Sequence, residues 1–568
     1  MKRFWFFLLL AAFLTRLAAA VYWDDRVRNA AFVPGVAPDK TAQIADAPFL
    51  LPTAPIVQTA DVPFVPSTAQ TVQTDDASSV PPTAQVADLP SVPETTQTAR
   101  FPSADGPFFF GDSDSYWKLG RALAFGRSYR FDEERRWEIF RTPGYPALLA
   151  PLFWAFGENP PILAARFLGV CFGTLNVGLV VVLAFAYFRR RSIAAFSGFV
   201  VAFDPTLVLQ SVLVLSEEPF LTFALLQHLV ALDVARRLGL LAFPSVDLPP
   251  LKSADSLNSA DAQPTQALNS ANSPRFFAVD APPSFARLVL SGVALGVLSA
   301  ATVYLRPSWL YFLPFATFFA FAFRFSVFFT EKRAQRRAFP FPATARLDVK
   351  RRVFPAFLVV AGTTALLFAA ALAPWTLRNY RLTGRPIATS LQMGASLYDG
   401  WRPDADGASD MRFVDEFRRL ELESPSAPPS EHFEVRLDRR LKTAALDWAS
   451  ANPDAVARLA VVKLARLWSP IPREPAFSTP ALQTLLAATF APLLVGGLCG
   501  FYRSFRRRGA GWTLLLPSLY LSALHSIFVS SIRYRVPVLY GFALLTAFAV
   551  VAFLDDRRGR RDALDDRP

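Results

Sequence analysis

Apolar stretches about the length of a bilayer-crossing helix, each bounded by charge, proline or glycine, dominate the chain. A hydrocarbon core about 30 Å thick needs about 20 mostly apolar helical residues. Runs of that kind predict about ten spans, at 3–20, 162–187, 192–211, 215–234, 286–304, 308–328, 353–374, 479–500, 512–530 and 536–554. Two readings fit the first run. It follows Lys2 and Arg3 and ends on Leu17-Ala18-Ala19-Ala20, which resembles a signal-peptide cleavage site; its length and the interrupting Arg16 suit a retained span.

Short basic clusters test this count, because in a correct topology they all fall on one face. Arg189-Arg190-Arg191, Arg236-Arg237, the stretch from Lys332 to Arg337, Lys350-Arg351-Arg352, Arg506-Arg507-Arg508 and Arg557 to Arg561 occupy alternate loops. The predicted fold is an all-α polytopic membrane protein with about ten transmembrane helices and both termini cytoplasmic. The other face receives two long segments, roughly 21–160 and 375–478. The expected division is a first transmembrane helix with the start of an outside loop (1–33), a spacer (34–105), the rest of that loop with spans two to four (106–242), a cytoplasmic insertion (243–284), spans five to seven (285–374), an outside helical segment (375–478), spans eight to ten (479–554) and a cytoplasmic tail (555–568). The spacer repeats Pro, Thr, Ala, Gln, Val and Asp and the insertion repeats "SADSLNSADAQ", both too poor in large apolar residues to build a core.

Composition narrows the function classes. Of 568 residues 52% are apolar and 18% charged, against about 25% charged in an ordinary soluble domain. The net charge of +13, from 59 basic and 46 acidic residues, reads as a topology signal; 54 phenylalanines and a mean hydropathy of +0.28 exclude a nucleic-acid partner. Cys171 and Cys499 lie in apolar runs, and His228, His432 and His525 are far apart, so neither a disulfide framework nor zinc-ligand spacing is present.

Chemistry is then left to carboxylates and arginines on the outside face. The stretch "FFFGDSDSYWKLGRALAFGRSYRF" predicts an amphipathic helix from about Ser113 to Phe125, ending at Gly126. Asp112 and Tyr116, four apart, share a face; Asp114, two residues on and roughly 200° around, points elsewhere. Asp112 is either the N-cap of this helix or a site residue. Arg141 precedes a Pro-Gly-Tyr-Pro turn, and Glu217 and Glu218 in "LVLSEEPF", Arg306 in "VYLRPSW", Arg378 in "APWTLRNY" and Arg533 with Arg535 in "SSIRYRVP" fall at similar depth. Glu217 either lines a cavity or caps span four ahead of Pro219. Cations here oppose the positive-inside bias, and ionisable groups at membrane depth persist because they have partners, for which an anionic headgroup is suitable. Asp204-Pro205 reads as a helix-end signal, Trp375 and Trp401 as interface anchors, and 408–460 as helices lying over the outside face.

Taken in order, the acidic motif, the Arg-Thr-Pro-Gly-Tyr-Pro turn, "SE", "LRP", "APWTLRNYRLTGRPIATSLQMGASLYDG" and "RYRVP" resemble the GT-C class of integral-membrane glycosyltransferases, in the branch that includes protein O-mannosyltransferases and bacterial lipid A aminoarabinose transferases. The resemblance covers about 400 of the 568 residues. It implies transfer of a sugar, with inversion, from a polyprenyl-phosphate donor to a lipid, protein or glycan acceptor on the non-cytoplasmic side, among membrane lipids and without nucleic acid. The family's Asp-Glu-x-x-Tyr motif reads Asp112-Ser113-Asp114-Ser115-Tyr116 here, which puts Asp112 in the catalytic position and Tyr116 in that of the motif aromatic, and replaces the adjacent Glu by Ser113. Asp114 and Glu217 are possible second carboxylates. Arg141 resembles the basic residue of the family's Lys-Pro-Pro turn, which contacts donor phosphate; Arg306, Arg378, Arg533 and Arg535 are further candidates for that contact. A phosphate leaving group needs no acid, so one carboxylate acting as base toward the acceptor suffices. A divalent metal at Asp112 or Asp114 is compatible with the residues, although no full ligand set is evident. Two rival readings are a secondary transporter of an anionic solute, against which stands the lack of internal repeats, and a polymerase or ligase of lipid-linked glycans.

Overall fold

The computed structural model describes residues 2–31, 111–131, 137–238, 284–319, 322, 344–426, 428, 430–473, 479–506 and 509–565. The expected spacer 34–105, nearly all of the insertion 243–284 and the Lys332 to Arg337 cluster lie outside these residues. Regular structure among the described residues is entirely helical. In chain order the helices are α1 (Lys2–Ala31), α2 (Gly111–Ala124), α3 (Gly144–Phe156), α4 (Ile162–Phe188), α5 (Arg191–Phe203), α6 (Pro205–Val212), α7 (Glu217–Arg237), α8 (Phe285–Leu305) and α9 (312–319). The second half holds α10 (Thr344–Thr383), α11 (Met393–Gly400), α12 (Phe413–Glu423), α13 (Phe433–Ala451), α14 (Pro453–Trp468), α15 (Pro480–Arg506), α16 (Leu516–Ile527) and α17 (Leu539–Asp565).

Seven of these, α1, α4, α7, α8, α10, α15 and α17, are long and apolar enough to cross a bilayer, and α5 with α6 makes an eighth if the bent pair is one span. The chain is an integral, multi-pass, all-α membrane protein. Two expected spans take other forms. The 512–530 run is broken into a 3-10 stretch, Ala510–Leu515, and a 12-residue helix that starts at Leu516 with Pro517 in its first turn. Of 308–328, the described part is a 3-10 turn at Pro307–Trp309 followed by α9. The 192–211 run forms the pair α5 and α6, bent by 54° at its break. Asp204 is its breaking point and caps α6, its side chain accepting from Leu207 N at 3.1 Å, with Pro205 in the first turn.

The core joins α1, α4, α5, α7, α15 and α17 through Leu8, Val177, Ala194, Leu225, Phe490 and Leu544. Its two ends differ in chemistry. Arg190 bonds to Asp555, Arg503 to Asp556 and Arg236 to the Ala186 carbonyl, which gathers the basic C-terminal ends of α4, α7, α15 and α17 at one end. Helix α7 has 21 residues, so at 1.5 Å per residue its first residue, Glu217, lies about 30 Å from that end.

Arg16 shows how the bend is tolerated. Its side chain is fully buried, donating from Nη1 to Ala202 O at 2.9 Å and from Nη2 to Val201 O at 3.0 Å. Those are the carbonyls freed by the break, since Pro205 has no N–H to offer Val201 four residues back. Within a bilayer no water is at hand to take them, so a cation that would interrupt a span completes one instead, in electrostatic contact with Glu218 and Asp204. The seat belongs to α1 as a packed helix, which favours the retained-span reading of the first apolar run. Replacing Arg16 with Met should destabilise the fold by about 3–5 kcal/mol by leaving buried partners behind, read as a lower denaturation midpoint in detergent micelles. Thr15→Ala, which removes only a bond to Ala11 O within the same helix, should change it by less than about 1 kcal/mol.

Candidate functional site

Residues from five separate segments meet at the end of the bundle opposite Arg190. Helix α2 begins at Gly111 rather than Ser113 and ends at a turn in which Gly126 takes φ +64°, a conformation costly for residues with a Cβ. Asp112 is thus in the first turn and not the residue preceding it. Its carboxylate turns to side chains: Oδ1 accepts from Arg141 Nη2 at 2.5 Å and Oδ2 from Arg533 Nη2 at 2.8 Å. Tyr116, one turn on, packs edge-on against Tyr145 at 5.2 Å, with the Arg141 guanidinium 5.3 Å above its ring. Asp112 and Tyr116 do share a face. Asp114 looks away and pairs with Lys118 at 2.8 Å in an exposed ion pair.

Arg141 is delivered by the turn that starts α3. Tyr129 donates its hydroxyl to Thr142 O at 3.1 Å, and Gly144 sits where a Cβ would come within 2.5 Å of the Tyr304 carbonyl at the end of α8. That close approach admits only glycine and brings the turn beside Arg306, the residue that ends α8. Arg306 Nη1 lies 3.2 Å from Glu217 Oε1, and Arg533 Nε donates to the same oxygen at 2.6 Å. The result is an alternating chain, Arg141–Asp112–Arg533–Glu217–Arg306, with three cations and two anions and so a net charge of +1. Glu217 is 1% exposed, and its other oxygen, Oε2, has no hydrogen-bond partner among the described residues. The Asp112 carboxylate is 30% exposed and open to an incoming group.

Burial would raise the Asp112 carboxyl, but the charges of Arg141 and Arg533, with the bonds they donate, hold it well below the usual carboxylate range. It is ionised and weakly basic while both guanidiniums remain on it.

Two arginines expected at this site lie elsewhere. Arg378 Nη1 donates to Glu138 O at 2.8 Å, and its guanidinium is 4.8 Å from the Trp375 ring centroid. Arg535 is buried, bonds Leu467 O at 3.0 Å and covers the Phe490 ring at 3.5 Å. Trp375, expected as an interface anchor, is buried, with its indole N–H on Thr389 O at 2.6 Å. Reading the sequence did not single out Tyr145, Tyr129 or Tyr534, whose ring lies 5.8 Å from the Arg306 guanidinium; aromatics this common in the chain carry no signal by spacing. A metal does not fit the acidic residues present. Both Asp112 oxygens face guanidiniums, Asp114 faces Lys118, and among the described residues no group of three His, Cys, Asp or Glu side chains is placed to hold an ion.

No family model and no curated protein matches the chain. Solved structures do. The archaeal oligosaccharyltransferase AglB from Archaeoglobus fulgidus, in complex with an inhibitory peptide and a dolichol-phosphate, is similar over 80% of this chain and 48% of its own, at 14% identity and a TM-score of 0.41. ArnT from Cupriavidus metallidurans, in the apo state, is similar over 78% of this chain and 73% of its own, at 14% identity and a TM-score of 0.25. The chain spans about half the length of the oligosaccharyltransferase.

Because the five charged groups share bonds, substitutions among them should not add. Combining Asp112→Asn with Arg141→Gln should cost less stability than the sum of the single changes, with a coupling energy of about 0.5–3 kcal/mol from denaturation midpoints in micelles. The exposed pair Asp114→Asn with Lys118→Gln should couple by no more than about 0.5 kcal/mol; equal coupling in the two cycles would mean that the Asp112 contact is as loose as a surface pair.

Proposed function

We propose that the chain is a glycosyltransferase that takes a sugar from a polyprenyl-phosphate donor and passes it, with inversion, to an acceptor on the non-cytoplasmic side of the membrane. The observation that carries this reading is the Asp112 carboxylate held between Arg141 and Arg533 at the end of the bundle remote from the clustered Lys and Arg. The positive-inside bias puts that end outside.

The charges balance through such a reaction. A sugar phosphodiester brings one negative charge to a cluster of net +1. As the bond from the anomeric carbon to the phosphate oxygen breaks and the acceptor oxygen bonds that carbon, the departing phosphate gains a second negative charge. The acceptor's proton passes to Asp112, and the cluster rises to +2. No charge is left uncompensated at a low-dielectric boundary, where an uncompensated one is most costly.

The donor also makes the base. Phosphate oxygens compete with Asp112 for Arg141 and Arg533, and as those guanidiniums turn to phosphate the pull that keeps the Asp112 carboxyl acidic weakens. Arg306 extends the cationic side, and Glu217, buried between Arg306 and Arg533, holds those two cations in place. Arg378 and Arg535 are not part of this mechanism.

Of the rival readings, transport would call for paired broken helices left open near mid-membrane. The bent pair α5–α6 has its Val201 and Ala202 carbonyls taken by Arg16. A lipid-linked glycan polymerase or ligase would centre on the late outer segment rather than on Asp112.

Asp112→Asn should lower sugar transfer from polyprenyl-phosphate donors by about 10²–10⁴-fold while donor binding persists, measured with radiolabelled donor in purified membranes; Asp114→Asn should stay within about twofold. Transfer unchanged in Asp112→Asn would sink the reading. Lys118→Cys, in a chain with Cys171 and Cys499 replaced by Ala, should react with a membrane-impermeant maleimide added from the non-cytoplasmic side; protection there would reverse the orientation.

A further inference from the structure

The turn that presents Arg141 is fastened on its far side by the outer helical segment. Glu434, the second residue of α13, is 1% exposed. Its Oε1 accepts from Glu138 N at 2.7 Å and Ile139 N at 3.0 Å, and its Oε2 accepts from Ile139 N at 3.2 Å. The Glu138 carbonyl accepts from Arg378 Nη1 at 2.8 Å, and the Ile139 carbonyl from Leu391 N at 3.0 Å. Trp137, on the near side of the same strand of chain, packs with Ala395, Phe417, Leu437 and Leu441 of α11, α12 and α13. The backbone two and three residues before Arg141 is thus gripped by groups from α10 and α13, and neither Glu434 nor Arg378 touches the Asp112 cluster.

We propose that Glu434 is a positioning residue: it fixes the Glu138–Ile139 backbone, and through it the place of the Arg141 guanidinium, so that the outer segment sets how firmly the site holds a phosphate. The proposal deepens the reading above, in which Arg141 meets donor phosphate. Burial pushes the Glu434 carboxyl up to about 7 against the lowering pull of the two backbone N–H groups, and in its ionised form it receives them in charge-assisted bonds, roughly twice as strong as neutral ones. Arg141 is a long side chain on a turn with no strand or helix of its own at that point, so the direction of its fork depends on where the turn is pinned, and small displacements of a phosphate-holding group have large effects on binding and reaction. Asp438, one turn further along α13, provides the comparison: it accepts from Gly394 N at 2.6 Å and ties α13 to α11 without reaching the Arg141 turn.

The test uses the full chain in micelles, with Glu434→Gln, which keeps shape and one accepting oxygen, and Asp438→Asn. Amide hydrogen exchange without ligand should speed up at residues 138 and 139 by about tenfold in E434Q and stay unchanged in D438N. Farnesyl phosphate should bind about tenfold more weakly to E434Q, with KM for donor rising and kcat held, and with wild-type affinity in D438N. Unchanged exchange at 138 and 139 in E434Q, or an equal loss of farnesyl phosphate affinity in D438N, would overturn the proposal. A wild-type chain that binds no farnesyl phosphate would overturn the phosphate reading of Arg141 instead, and the exchange result alone would then decide whether Glu434 pins the turn.

Discussion

Two carboxylates threaded between three guanidiniums hold together the end of the bundle where chemistry is expected. Each of the five side chains comes from a different part of the chain: Asp112 from α2, Arg141 from the turn into α3, Glu217 from the start of α7, Arg306 from the end of α8 and Arg533 from the stretch before α17. Removing Asp112 strands Arg141 and removing Glu217 strands Arg306, so the cluster is also a constraint on how α2, α3, α7, α8 and the stretch before α17 are docked. The helices assist it. Glu217 sits at the N-terminus of α7, where the macrodipole favours an anion, and Arg306 ends α8, where it favours a cation.

Much of this was legible in the sequence, and the reason differs by residue. Asp112 and Tyr116 could be paired because a spacing of four on a helix is a strong geometric statement; Asp114, kept as a possible second carboxylate although the same spacing turns it elsewhere, pairs with Lys118 instead. Arg533 and Arg535 could not be told apart. The segment between them is 3-10 rather than extended, and at three residues per turn a step of two rotates the side chain by about 240°, which sends one guanidinium into the cluster and the other onto Phe490. Arg378 looked the same as its neighbours because a sequence shows a cation at the right depth and not the carbonyl waiting for it. Glu434 carried no signal at all, since in a charged amphipathic helix one buried glutamate is written like the exposed ones around it.

Arg16 and Arg378 make a general point about cations in membrane proteins. Both stand where charge is costly, and both are held by carbonyl oxygens rather than by acids alone: Val201 and Ala202 for one, Glu138 for the other. In each case the backbone had been freed from regular hydrogen bonding, by a helix break or by an irregular turn, and a guanidinium with five donors is the side chain best able to serve it. An arginine at membrane depth therefore marks either a ligand or an irregularity in the backbone, and the two are separated by asking which carbonyls nearby lack a donor.

That distinction bears on the cluster itself, where Arg141 donates to the Asp112 carboxylate and Arg533 to those of Asp112 and Glu217. Bonds to a carboxylate can be exchanged for bonds to a phosphate with little loss, because the two oxyanions present similar acceptors to the same fork. Bonds to a peptide carbonyl cannot be exchanged without orphaning that carbonyl. Under the proposed function, the arginines that would take a lipid phosphate are thus the ones now resting on acids, and the ones resting on backbone are committed to holding the frame. The pairing of Asp112 with two guanidiniums orders all three side chains with no ligand present, so in the proposed reaction the entropy of arranging them is already spent before a donor would bind.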